Sequence, residues 1–314
     1  MRALMMILGV GLAPLAAAHD ATAAPEPVPI PQLMEAFGWD LAATEITSEK
    51  VADGLHVLFG LGGNIAVSTG DDGTLIVDDQ FPELIPQIRK AIRKLGGSKK
   101  VDFAINTHWH FDHAAGNLAL GPKGTWLVAQ ANSRTMMQRD NVINLVVVAG
   151  RQEAYPAEAL PVITFDETMQ FHFNGETVEL LHFGPAHTTG DAAVHFRNAN
   201  AVHMGDVFNA AGYPFIDVGN GGSLDGVIAF CRQVLARINE KTTMIPGHGP
   251  VSDYSGFVAY IRMLETLRAR IADLVEQGAS LEEVIAAKPT ADFDEQRGSS
   301  TIFVNRAYTS LSQR

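Results

Sequence analysis

The most informative segment of this chain is His108-Trp109-His110-Phe111-Asp112-His113. Three histidines and a carboxylate, all common metal ligands, stand within six residues. The stretch follows Val101-Asp102-Phe103-Ala104-Ile105-Asn106, a short apolar segment that is typical of a buried strand. The loop after such a strand is where α/β proteins commonly place catalytic and binding residues. The stretch therefore predicts a metal centre at the end of a core strand.

The spacing of the four side chains favours two metal ions. In an extended segment, alternate residues share a side, so His108, His110 and Asp112 would lie together while His113 points elsewhere. A single helix face cannot hold all four, because neighbours on a helix face are three or four residues apart. We expect His108 and His110 at one metal, and Asp112 and His113 at the other. Imidazole and carboxylate ligands suit zinc, with iron or manganese as alternatives.

Two side chains per metal are too few, so further ligands must come from downstream. Three candidates lie close to glycines at expected strand ends, and they are His187, Asp206 and His248. Glycine permits the tight backbone turns that bring a neighbouring side chain inward.

The hydrophobic pattern around these residues predicts an α/β fold. Strands are expected at 55–59, 64–68, 74–77, 101–106, 126–129, 169–173, 177–183, 192–196, 201–204 and 243–245. Helices are expected at 84–95, 132–139, 224–238 and 256–277, with helical pieces in the last forty residues. The pattern of residues 141–161 is ambiguous. This order suits two packed sheets with helices outside.

The N-terminus has the features of a secretory signal. Arg2 precedes an apolar stretch from Ala3 to Leu15, and small residues follow it. The stretch is shorter than the roughly 20 apolar residues of a membrane span, although an uncleaved N-terminal anchor is the alternative. We expect residues 1–23 to be a signal peptide, cleaved after Ala18 or Ala23, and the mature protein to be periplasmic or secreted and free of the membrane.

The proline-rich segment after the signal predicts an extended tether over residues 24–45, because proline is excluded from helix interiors. Residues 46–314 are then the folded domain, with a helical extension at the C-terminus.

Composition narrows the range of partners. The 314-residue chain is 46% hydrophobic, which is ample for a packed core, and its net charge is −12. The electrostatic field of this net negative charge repels a nucleic-acid backbone, so we expect a small-molecule substrate and no nucleic acid. Cys231 is the single cysteine, which excludes an intrachain disulfide. The sequence gives no prediction of the oligomeric state.

These motifs resemble those of the metallo-β-lactamase superfamily. The matching positions are His108-x-His110-x-Asp112-His113, then His187, Asp206 and His248 in the family order, between about residues 50 and 255. The resemblance implies an αββα sandwich of two mixed sheets flanked by helices, with a two-metal site at one edge of the sheets. It implies a first metal held by His108, His110 and His187, and a second held by Asp112, His113 and His248. Asp206 would bridge the two.

The residue type at position 206 bears on which class of substrate to expect. A large group of true β-lactamases in this superfamily has cysteine at that position, so the chain is more similar there to carboxylate-bridged hydrolases such as glyoxalase II thioesterases and lactonases. Asp78 resembles a family aspartate that steadies a ligand histidine, and Asp191 is a second candidate for such a role. A turn or helix-capping role is the alternative for Asp78.

The expected function is that of a secreted binuclear zinc hydrolase. Two cations ~3.5–4 Å apart lower the pKa of a bridging water toward ~7, and the resulting hydroxide attacks a carbonyl carbon. Asp112 would orient that nucleophile and accept its proton, which makes it the predicted catalytic residue. A β-lactam or similar cyclic amide is the first expected substrate, with a thioester or lactone as the alternative. A non-hydrolytic diiron protein and a non-catalytic binding module are the rival hypotheses.

Overall fold

The computed structural model describes residues 25–313 of the chain. The predicted signal peptide, residues 1–23, lies outside the described residues. The strands are β1 (Pro27–Pro29), β2 (Thr47–Ala52), β3 (Leu55–Phe59), β4 (Ile65–Gly70), β5 (Gly73–Val77), β6 (Phe103–Asn106), β7 (Trp126–Gln130), β8 (Asn141–Asn144), β9 (Ala149–Gln152), β10 (Ile163–Phe165), β11 (Thr168–Phe173), β12 (Glu176–Leu181), β13 (Ala193–Phe196), β14 (Ala201–His203), β15 (Thr243–Ile245) and β16 (Ser252–Asp253).

The helices are α1 (Ile30–Ala36), α2 (Ile85–Lys94), α3 (Phe111–Ala114), α4 (Asn117–Leu120), α5 (Ala131–Met137), α6 (Leu224–Leu235), α7 (Tyr254–Glu276), α8 (Leu281–Ala286), α9 (Asp294–Arg297) and α10 (Thr301–Ser312). Short 3₁₀ turns lie at Pro82–Leu84, Gly121–Lys123, Ala157–Ala159, Gly205–Val207 and Val218–Asn220. Within residues 25–313, no helix combines the length and apolar character needed to span a membrane.

Two mixed sheets form the centre of the fold. One has seven strands in the order β10-β7-β6-β5-β4-β3-β2, and the other has six in the order β11-β12-β13-β14-β15-β16. Apolar side chains from both sheets fill one continuous core, and these include Val57, Val77, Ile105, Val178, Val194 and Ile245. Burial of this shared face is what holds the sheets together.

Helices cover the outer face of each sheet. Helix α2 buries Ile85, Ile88 and Ile92, at helical spacing, in the core that lies against the seven-stranded sheet. Helices α6, α7 and α10 contribute to a second outer core with the six-stranded sheet, in which Phe230 and Leu264 are buried. The αββα sandwich predicted from the sequence is therefore confirmed.

The expected tether is wrong for residues 27–36. Strand β1 pairs in parallel with β9, and together with β8 they form a small third sheet. Helix α1 follows at once and buries Leu33 and Met34. Proline is compatible with both elements, because β1 is an edge strand and Pro31 lies in the first turn of α1, where no intrahelical N–H bond is required.

Parallel strand pairs in both sheets position the candidate site. Strands β5 and β6 are parallel neighbours that lead into Asp78 and His108. Strands β14 and β15 are parallel neighbours in the other sheet, and they lead into Asp206 and His248. The carboxyl ends of parallel strands meet at one sheet edge, which is the usual place for a ligand site. The Asn64 N–H donates to the Gly247 carbonyl at 2.7 Å and joins the two edges.

Candidate metal centre

All seven residues predicted as ligands lie together at this edge. Their nitrogen and oxygen atoms form groups within 4.8 Å of one another, and the groups are His108, His110 and His187; Asp112, His113 and His248; and His108, His113 and Asp206. The first two groups have the membership that the resemblance implied for the two metals. Metal ligation itself stays a prediction.

The outer hydrogen bonds of His110 and His187 fix the state of their inner nitrogens. His187 Nδ1 lies 2.8 Å from the Phe215 carbonyl oxygen, which can only accept, so Nδ1 carries the proton. His110 Nε2 lies 2.9 Å from Asp217 Oδ2, which likewise requires a proton on Nε2. Burial and the neighbouring His110 lower the pKa of His187, which favours its neutral ring. His187 Nε2 is therefore left with a lone pair, and it faces His110 Nδ1 at 2.9 Å.

His108 is held in the same manner. The Thr107 hydroxyl donates to Asp78 Oδ2 at 2.8 Å, so its oxygen is left to accept from His108 Nδ1 at 3.1 Å. His108 Nε2 is then unprotonated, and it is buried without a hydrogen-bond partner in the described part of the chain. Burial, with the nearby His113, lowers the pKa of His108 well below its ordinary value. The ring nitrogens of His108, His110 and His187 thus converge within 4.8 Å of one another, and this donor set fits a metal ion.

The second group is oriented by Asp78. His113 Nδ1 donates to Asp78 Oδ2 at 2.7 Å, which directs His113 Nε2 toward His248 Nε2 at 3.1 Å. Asp112 Oδ2 lies 3.2 Å from the same His248 nitrogen. The predicted role of Asp78 in steadying a ligand histidine is thus supported by a direct contact.

Asp206 lies between the two groups. Its Oδ1 is 3.1 Å from His113 Nε2 and 3.4 Å from His248 Nε2, and its Oδ2 is 3.8 Å from His187 Nε2. Close approach depends on Gly247, because a Cβ there would lie 2.0 Å from Asp206 Oδ1. A carboxylate in this position can reach cations held by either group.

The electrostatics of the cluster favour positive charge. Burial raises the pKa of Asp206, but His248 and His113 outweigh it and hold that pKa well below its ordinary value. Burial likewise raises the pKa of Asp112, but His113 and then His248 outweigh this effect, so that pKa is also lowered. Burial lowers the pKa of His248, but Asp206 and Asp112 reverse this and raise it to about 10. Two ionised carboxylates thus attract any cation available to the site.

The structure adds supporting residues that the sequence did not indicate. Asp217 and the Phe215 carbonyl orient His110 and His187, yet Asp217 is 107 residues from its partner histidine. No local pattern marks such a contact, and a backbone carbonyl has no signature in the sequence. Asp191, which the sequence suggested as a supporting carboxylate, instead accepts hydrogen bonds from the Thr188 N–H and hydroxyl at 2.8 Å each. Its role is to stabilise a turn.

The fold and the site together define a protein with two packed central sheets and a histidine- and aspartate-rich candidate metal centre at their edge. A family model described as the metallo-beta-lactamase superfamily matches residues 58–248. The chain belongs to the metallo-β-lactamase superfamily. The match contains every one of the seven predicted ligands.

Individual relatives share only a low sequence identity with this chain. The chain is 27% identical over 149 residues to the 2,4-dinitroanisole O-demethylase subunit alpha of Nocardioides sp. (strain JS1661), a match that covers 47% of this chain and 42% of the relative. It is 25% identical over 173 residues to the mitochondrial hydroxyacylglutathione hydrolase of Saccharomyces cerevisiae, which covers 52% of this chain and 53% of the relative. The chain thus matches about half the length of these two proteins.

Among solved structures, a metallo-beta-lactamase from Pontibacter korlensis has a similar fold. The TM-score is 0.58 at 16% sequence identity, and the superposition covers 70% of this chain and 99% of the other. This likeness concerns the fold alone.

Proposed function

We propose that the protein is a hydrolase of small carbonyl compounds that holds two divalent cations, with zinc as the metal. The observation that carries this proposal is the pair of three-residue groups, whose nitrogen and oxygen atoms converge within 4.8 Å, with Asp206 placed between them. Nitrogen and carboxylate donors without thiolate suit zinc, and three ligands for each ion with Asp206 shared would leave room for water and substrate.

Bound divalent cations would polarise the substrate carbonyl and lower the pKa of a coordinated water. The residues of the chain provide the remaining functions. His110 and His187 are held rigidly by partners outside the site, so their orientation costs little on binding. Asp112 is ionised at neutral pH, because His113 and His248 offset the effect of burial on its pKa. It is 15% exposed, so it can both orient a water and accept its proton, and we propose it as the catalytic residue.

A strained cyclic amide of the β-lactam type is the first proposed substrate. Export by residues 1–23, which lie outside the described residues, would place the enzyme in the periplasm or outside the cell, where such compounds are met. Thioesters and lactones are the second proposed class. The carboxylate at Asp206 supports this class, as does the likeness to hydroxyacylglutathione hydrolase.

A substrate panel on zinc-loaded protein tests the proposal. The panel contains a chromogenic cephalosporin, an acyl-homoserine lactone and S-lactoylglutathione, each assayed with the loaded protein and with a chelated sample. We expect hydrolysis of at least one compound, its loss on chelation, and its return when zinc is added. Absence of turnover with all three, together with bound iron in place of zinc, would support the diiron alternative and contradict the proposal.

A further inference from the structure

One loop supports three of the seven predicted ligands. We call residues 209–217 the supporting loop. Phe215 accepts from His187, and Asp217 accepts from His110, as described above. The Asp217 N–H also donates to the His187 carbonyl at 3.0 Å. At the other end of the loop, Asn209 forms a parallel bridge with His248, and the Ala210 N–H donates to the His248 carbonyl at 2.9 Å.

The C-terminal helices hold this loop through Tyr213. The Tyr213 ring stacks on Phe303 of α10 with a centroid separation of 5.3 Å and an interplanar angle of 18°. Its hydroxyl donates to Asp294 Oδ1 at 2.8 Å. Burial and the Asp294 carboxylate raise the pKa of Tyr213, so the hydroxyl keeps its proton. Tyr213 is therefore fixed both by stacking and by a charge-assisted hydrogen bond.

Arg297 holds the same loop independently. Its Nη1 donates to the carbonyls of Asn209 at 3.3 Å and Gly212 at 3.4 Å, so one guanidinium spans the first half of the loop. The guanidinium also lies 5.8 Å from the centre of the buried Tyr260 ring. Residues 294–303 lie beyond the 58–248 segment that the family model matches.

We propose that the C-terminal helices position the metal centre, with Tyr213 and Arg297 acting as positioning residues through the supporting loop. This inference rests on the proposed function, because it concerns ligands of the proposed cations. Neither side chain contacts a ligand directly. Each fixes the loop backbone that presents the Phe215 carbonyl and Asp217 to His187 and His110, and displacement of these partners releases the imidazole orientation on which metal affinity depends.

The test compares zinc affinity in two loop variants and two matched controls. Tyr213→Phe removes a hydroxyl from the loop, whereas Tyr308→Phe removes one that donates to the Ala279 carbonyl. Arg297→Met removes a guanidinium bound to loop carbonyls, whereas Arg270→Met removes one bound to the Pro289 carbonyl. The dissociation constants for both zinc ions are measured by competition with a chromophoric chelator. Thermal unfolding of the metal-free proteins reports stability separately.

We expect Arg297→Met to weaken at least one zinc site about tenfold, Tyr213→Phe to weaken it severalfold, and the controls to stay within about twofold of the parent. Equal losses in the controls, or unchanged affinity in both loop variants, would overturn the inference. If Arg297→Met does not fold, Arg297→Lys and Tyr213→Phe decide the matter. A parent protein that binds no zinc would instead refute the proposed function, and the inference with it.

Discussion

Replacement of Asp206 with asparagine is expected to lower the bound metal from two ions to about one per chain. Hydrolysis of the best panel substrate should fall about a thousandfold, equal to roughly 4 kcal/mol of lost transition-state stabilisation. The substitution keeps the shape of the side chain but removes the negative charge between the two groups. Asp206 Oδ1 lies 3.1 Å from His113 Nε2, and its Oδ2 lies 3.8 Å from His187 Nε2. Elemental analysis and steady-state kinetics measure the two effects.

Asp191→Asn is the matched control for this variant. Asp191 is a buried aspartate four residues from His187, and its carboxylate accepts hydrogen bonds from the Thr188 N–H and hydroxyl. We expect this control to lose some thermal stability and to retain both metals. If Asp206→Asn retained two metals and full activity, the assignment of Asp206 as the shared carboxylate would be wrong.

Replacement of Asp217 with alanine is expected to weaken the first metal site by roughly 10- to 100-fold. Without its acceptor, the proton of His110 can move from Nε2 to Nδ1, and Nδ1 then donates to His187 Nε2, which lies 2.9 Å away. The two metal-binding nitrogens would hydrogen bond to each other and close the site to a cation. Zinc titration measures the affinity, and ¹⁵N NMR of the histidine rings reports the tautomer.

Asp217→Asn separates this explanation from a general loss of structure. The asparagine carbonyl oxygen still accepts from His110 Nε2, so the asparagine variant should lose less zinc affinity than the alanine variant. An alanine variant that binds zinc as tightly as the parent, with the proton of His110 still on Nε2, would show that Asp217 does not set the tautomer.

The layered fold could be predicted from the sequence because its signals are local. The alternating and apolar runs placed strands close to β3, β5 and β6, and the three-and-four spacing with a following Gly96-Gly97 placed α2 within one residue of its bounds. The motif residues could be predicted for a related reason. Histidine and aspartate at this density, directly after a buried strand, are a local pattern that indicates a metal site.

The errors arise where tertiary contacts override local preference. Pro27, Pro29 and Pro31 predicted a tether, but an edge strand and a first helical turn both accept proline when a partner such as β9 is available. That partner lies in the ambiguous 141–161 segment, where β8 and β9 form a hairpin. Neither β1 nor its partner β9 could be predicted from the sequence, because each strand depends on pairing with the other.

The supporting residues of the site could not be predicted, because their function depends on a distant partner. Asp217 has no neighbouring histidine along the chain, and its role follows only from the fold that brings it to His110. Arg297 and Tyr213 are further removed, since they act on the backbone of a loop. Candidate ligands can be recognised in the sequence from their side-chain types, whereas the groups that orient them can be identified only from the packing of the fold.

Anomalous scattering at the zinc edge, from crystals grown with zinc, would locate any metal ions that these residues hold. We expect two peaks about 3.5–4 Å apart at the edge where the two sheets meet. One should lie about 2.0–2.2 Å from nitrogens of His108, His110 and His187, and the other at similar distances from Asp112, His113 and His248, with Asp206 reaching both. A structure with no peak among these residues, or with zinc bound only elsewhere, would show that the seven residues do not form a two-metal site.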